Sequence, residues 1–150
     1  MKVLVVFLGL LTMLSSMLFY QGDMGRYTRG RAFLKALAEE CAAGAALYFD
    51  ESEYAEGRLV FNQDEGMKYI SHLLENTQMP PELKALGAPS CEALFYDDES
   101  GYGQDVGGHA IASSPSVAVK LSIHTEDIFR LPFLSVIYIE RQAMYELPAP

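Results

Sequence analysis

The alternation of apolar and polar positions changes character three times along the chain. Val3 to Tyr20, VLVVFLGLLTMLSSMLFY, is a run of 18 residues without a charge. As a helix it extends about 27 Å, close to the thickness of a bilayer's hydrocarbon core. The run predicts a membrane anchor, with Val3, Phe7, Leu11, Leu14, Leu18 and Tyr20 distributed along it. A cleaved signal peptide is the rival reading, with Lys2 as its basic end and Val3 to Leu14 as its apolar core. Against it, Met17 to Tyr20 continue the run where a small-x-small cleavage site would be needed. No lipobox cysteine follows.

The next ten residues, QGDMGRYTRG, contain Gly22, Gly25 and Gly30. Each glycine costs a helix interior about 1 kcal/mol relative to Ala, so this stretch predicts a hinge at the membrane surface. From Arg31 a helical period resumes, with Phe33, Leu37, Cys41, Gly44 and Tyr48 on one face and Leu34, Ala38, Ala45 and Phe49 beside it. Lys35 and Glu39 form an i,i+4 pair on the other side. Ala42 to Ala46 are all small, which permits close approach by another backbone. The blander explanation is that an Ala-rich stretch is simply a good helix former.

Period 2 takes over in the last third. SVAVKLSIH, 116 to 124, puts Val117, Val119, Leu121 and Ile123 on one face, and a second β-rich run begins at Phe133 after TEDIFRLP, where Pro132 stops pairing. Two antiparallel strands are marginal alone in water, so the 33 to 49 helix is expected to cover their apolar face. Between these regions, Asp50 to Gly57 reads as an acidic exposed connection and Arg58 to Phe61 as a short strand. Asn62 three residues before Glu65 reads as a cap for a helix over Asp64 to Asn76. Pro80, Pro81, Gly87 and Pro89 predict loop, and a brief strand starts near Ala93. The fold class is therefore α+β: an anchor with a short flank over residues 1–24, and one domain over 25–150.

Charge narrows the functional classes. The net charge of −9 is concentrated between residues 50 and 105, where 13 Asp/Glu face 3 Lys/Arg. Nucleic acid is not an expected partner, because phosphate neutralisation needs clustered cations and only Arg26, Arg29, Arg31 and Lys35 come near that. The same four residues, weighed against Lys2, favour a cytoplasmic C-terminus by the positive-inside rule, which long following domains can override.

No catalytic constellation is legible. His72, His109 and His124 are far apart, Ser113, Ser114 and Ser116 lack a nucleophile elbow, and GYGQDVGG lacks the P-loop lysine. No cofactor is expected. Asp97, Asp98, Glu99 and Asp105 on a glycine-rich loop are weak candidates for a calcium site, although Gly101 stands where an EF-hand needs a ligand. A solvated acidic turn is the alternative. Cys41 and Cys91 carry no CxxC signature; they are either a disulfide pair in an exported domain or two buried thiols.

The anchor, LKALAEECAAGAALYFDE, GRLVFNQDEGMKYISHLLENT and PSVAVKLSIHTEDIFRLPFLSVIYIERQAMYEL together resemble the TadE/TadG-like, pilin-like membrane proteins of bacterial tight-adherence pilus loci. The likeness covers most of the chain and is one of layout. It implies a single-pass protein of the cytoplasmic membrane whose C-terminal domain faces outward. It also implies a non-enzymatic role, with other pilus or envelope assembly proteins, or further copies of the chain, as partners. The chain departs from prepilins in having no Gly cleavage site followed by a hydrophobic run with an early Glu.

Overall fold

The computed structural model describes residues 2–102, 114–131 and 133–147. One helix, α1, spans Lys2–Ala45 without interruption, about 66 Å at 1.5 Å per residue. The expected hinge is absent. Gly22 and Gly25 have open space where a Cβ would stand and simply ride in the helix, whereas Gly30 is filled against Leu83, whose Cγ lies 3.0 Å from that Cβ position. Tertiary packing of the flanking turns outweighs the glycine cost: from Asp23 onward the buried positions are Gly30, Leu34, Leu37, Ala38, Cys41, Ala42 and Ala45, a single helical stripe. The half before Asp23 shows no such stripe, and none of its apolar window is covered.

Three strands form an antiparallel meander: β1 (Ser90–Tyr96), β2 (Ser116–His124) and β3 (Tyr138–Glu146), in the order β1-β2-β3. The register pairs Cys91 with Leu121 and Leu121 with Arg141, so odd positions of all three strands share a face. On that face Val117, Val119, Leu121 and Ile123 are buried to 1% exposure or less and pack against α1. The helix covers the sheet as its apolar alternation demands. The third strand needed for stability is β1, which begins three residues before the expected Ala93.

The middle of the chain closes the other side. The exposed connection after α1 contains one helical turn and more, α2 (Glu51–Ala55), because Asp50 caps it by accepting from the Ser52 and Glu53 N–H groups at 2.8 and 3.3 Å. α3 (Gln63–Asn76) starts one residue earlier than its pattern suggests, with Asn62 accepting from the Glu65 N–H at 3.2 Å. Arg58 to Phe61 does not join the sheet as a strand. It makes one isolated bridge, Phe49 to Phe61; the Arg58 N–H donates to the Glu53 carbonyl, and the Leu59 and Phe61 N–H groups donate to carboxylates of the loop after β1.

Candidate functional site

Small residues on α1 serve the protein's own core. Leu37 and Cys41 are buried, Phe33 packs against the same cluster, and a Cβ on Gly44 would land on the Tyr69 ring of α3. Tyr48 stays partly exposed and stacks on Tyr69 with centroids 5.9 Å apart. The small side chains let α3 and the sheet approach α1 closely, so this face is already occupied inside the domain and is not free for another subunit. The anchor residues behave oppositely: Val3, Phe7, Leu11, Leu14, Leu18 and Tyr20 are exposed by 40 to 83%.

Asp97 and Asp98 are consumed by loop closure. Asp97 is 1% exposed, and its Oδ2 accepts from the Phe61 N–H at 2.9 Å while its Oδ1 accepts from the Glu99 and Ser100 N–H groups. Asp98 accepts from the Leu59 N–H at 2.7 Å and from the Tyr102 hydroxyl at 2.7 Å, and these hydrogen bonds hold its carboxyl below the ordinary range. Burial and the Asp98 carboxylate push the Tyr102 hydroxyl up to about 12. The two carboxylates pin residues 59–61 beneath the end of β1, which is why Arg58 to Phe61 forms no ladder. Glu99 contributes its backbone N–H to that closure, and Asp105 lies outside the described residues. Among the described residues no group of three acidic, His or Cys side chains converges as a metal site.

The two cysteines, Cys41 on α1 and Cys91 on β1, are both free thiols on the contact between helix and sheet. Burial pushes Cys41 up to about 12, with Cys91 and Glu40 adding to the shift, and burial pushes Cys91 up to about 11. His72 is exposed on α3, His124 stacks on Tyr138 at 5.1 Å, and His109 and Ser113 lie outside the described residues.

One constellation escapes sequence reasoning. Asp23, 2% exposed, sits one turn past the apolar run; its Oδ2 accepts from the Arg130 N–H at 3.0 Å, and its Oδ1 lies 3.6 Å from Arg130 Nε and 3.8 Å from Arg26. Phe129 lies between Tyr20 and Tyr27, with centroids 6.3 and 6.0 Å away. Residues 128–130 are thereby clamped to the helix where the apolar run ends. A lone acid directly after an apolar segment, with Arg at i+3, is the local signal for this; its partner 107 residues on has none.

Comparison of the chain with protein-family models, with curated proteins and with solved structures gives no match. What stands is an α+β protein of pilin-like architecture, whose long N-terminal helix is apolar enough at its start for a membrane span or a signal sequence.

Proposed function

We propose that this protein is a non-enzymatic, membrane-anchored, pilin-like or assembly component of a tight-adherence-type pilus or secretion apparatus, working by contacts between proteins. The carrying observation is the division of α1 into an uncovered apolar half and a half that is the core of an α+β domain. In lipid, the uncovered half satisfies its backbone internally and offers its side chains to acyl chains or to neighbouring spans. The domain faces outward in this reading, in line with the resemblance. Cys41 and Cys91 are free thiols here; if an outward-facing domain paired them, the disulfide would close roughly 50 residues, worth about 4 kcal/mol by the chain-entropy model.

Because Gly44 lies against Tyr69, enlarging it tests the fold and not assembly. Assembly is better probed from the uncovered half. A Leu11→Cys variant in a Cys41→Ser, Cys91→Ser background, oxidised in native membranes, is expected to cross-link to a second copy or another spanning protein. A span that remains monomeric at native abundance would remove assembly through the span. An acidic-loop sensing module is the competing class; with Asp97 and Asp98 engaged by five internal donors, it has less to bind with. Calcium-dependent thermal stabilisation, lost on Asp97→Asn with Asp98→Asn, would favour that competitor.

A further inference from the structure

The segment between β2 and β3 is closed on itself. Asp127 Oδ1 accepts from the Phe129 N–H at 3.1 Å and from the Val136 N–H at 3.2 Å; the Ser135 side-chain hydrogen bond first, and these backbone bonds after it, hold the carboxyl below its ordinary range. The Ile128 N–H reaches the Val136 carbonyl at 3.4 Å, and the Thr125 N–H reaches the Ile137 carbonyl at 2.9 Å. The ends are cinched together, and Leu134 and Val136 pack against the core while Phe133 stays outside it.

The segment carries exposed apolar side chains. Phe133 is 77% exposed and Ile137, at the cinched end, 57%, while Arg130 keeps 55% of its side chain exposed. Its height relative to the span is fixed by the clamp. Phe129 touches Tyr20, the last residue of the apolar run, and Arg130 holds Asp23, about 4.5 Å further along the axis. Each headgroup layer is roughly 5 to 7 Å thick, so a segment held against residues 20–23 shares that layer with them.

We propose that residues 127–131 and 133–137 dock on the membrane, with Phe133 and Ile137 inserted among the lipid headgroups and Arg130 at the level of the phosphates. The occupant is the bilayer itself, since the loop adjoins the apolar run that enters it, and Tyr20, which Phe129 touches, is of a type enriched at this depth. The domain is then held against the surface at two points, α1 and the loop, which fixes its tilt. This inference rests on the anchor reading of α1.

Trp is absent from the chain, so a single introduced Trp reports alone. Full-length Phe133→Trp, Leu11→Trp and Leu47→Trp proteins would each be reconstituted into phosphatidylcholine/phosphatidylglycerol vesicles, with bromine either high or deep on the acyl chains. Leu47, 69% exposed, lies just past the far end of α1, about 40 Å from Tyr20 along the axis, and serves as the unquenched reference. The expected result is that deep bromine quenches Leu11→Trp, shallow bromine quenches Phe133→Trp about twofold, and neither quenches Leu47→Trp. Ile137→Trp, at a second exposed position, should repeat the Phe133→Trp result. If Leu11→Trp is quenched and both loop variants match Leu47→Trp, docking is overturned and the anchor stands. Loop emission that is blue-shifted yet unquenched would mean a protein surface covers the segment, which also overturns it. An unquenched Leu11→Trp removes the anchor and the docking together.

Discussion

Asp97 shows how little of a carboxylate cluster's role is written in its composition. Three backbone N–H groups converge on it, from residues 61, 99 and 100, and its burial makes each costly to leave unpaired. Asp97→Ala is therefore expected to destabilise the domain by about 3 kcal/mol, measured by urea unfolding in detergent. Acid should do part of the same work. Asp98 and Asp127 both have lowered folded-state values, so their stabilisation is fully present above the ordinary 3.8 and is lost as pH falls through the folded values. Thermal stability should hold from neutral pH down to about 5 and fall below about 4, with a shallower acid limb in Asp98→Asn. The thiols titrate at the opposite end. In the reduced protein Cys91 and Cys41 should alkylate far more slowly at neutral pH than in the denatured chain, the rate climbing about tenfold per pH unit toward 11 and 12 respectively. A neutral-pH native rate equal to the denatured one would show that neither thiol is buried as described.

Elements were legible wherever a periodic pattern met its own partner nearby, and illegible where a distant contact decided. The 116 to 124 alternation and the Asn62 cap announce β2 and α3 within a residue, because side-chain period and capping are local. The hinge across Gly22, Gly25 and Gly30 failed for the opposite reason: helix continuity there depends on Leu83, Phe129 and Arg130, from parts of the chain far away. Likewise Arg58 to Phe61 has strand composition but is claimed by Asp97 and Asp98. Glycines on α1 should accordingly respond with opposite signs. Gly25→Ala, with open space at its Cβ, should stabilise by about 0.5 to 1 kcal/mol, whereas Gly44→Ala should destabilise because Tyr69 must move. Thermal unfolding of both variants by circular dichroism decides; a shared sign would mean that α1 does not pack as described.

Taken whole, the molecule is one continuous helix whose first half is uncovered and apolar enough for a membrane span or a signal sequence and whose second half lies in a protein core. The spine, expected to cover the sheet, does so inside the domain, which leaves the uncovered half of α1 and the outer faces of the domain for contact. Much of the acidic middle of the chain lies on α2, α3 and the loop after β1, while Arg26 and Arg130 flank Asp23 where the helix leaves the apolar run. The most direct test of this division is a spin-label scan of α1 from Val5 to Leu37 in lipid vesicles, reading oxygen and nickel-chelate accessibility at each position. The account predicts high oxygen access without periodicity through Leu18. From Tyr20 onward it predicts a continuous helical period with minima at Asp23, Gly30, Leu34 and Leu37. Nickel-chelate access within residues 5–18, or loss of the period between Gly22 and Gly30, would contradict it.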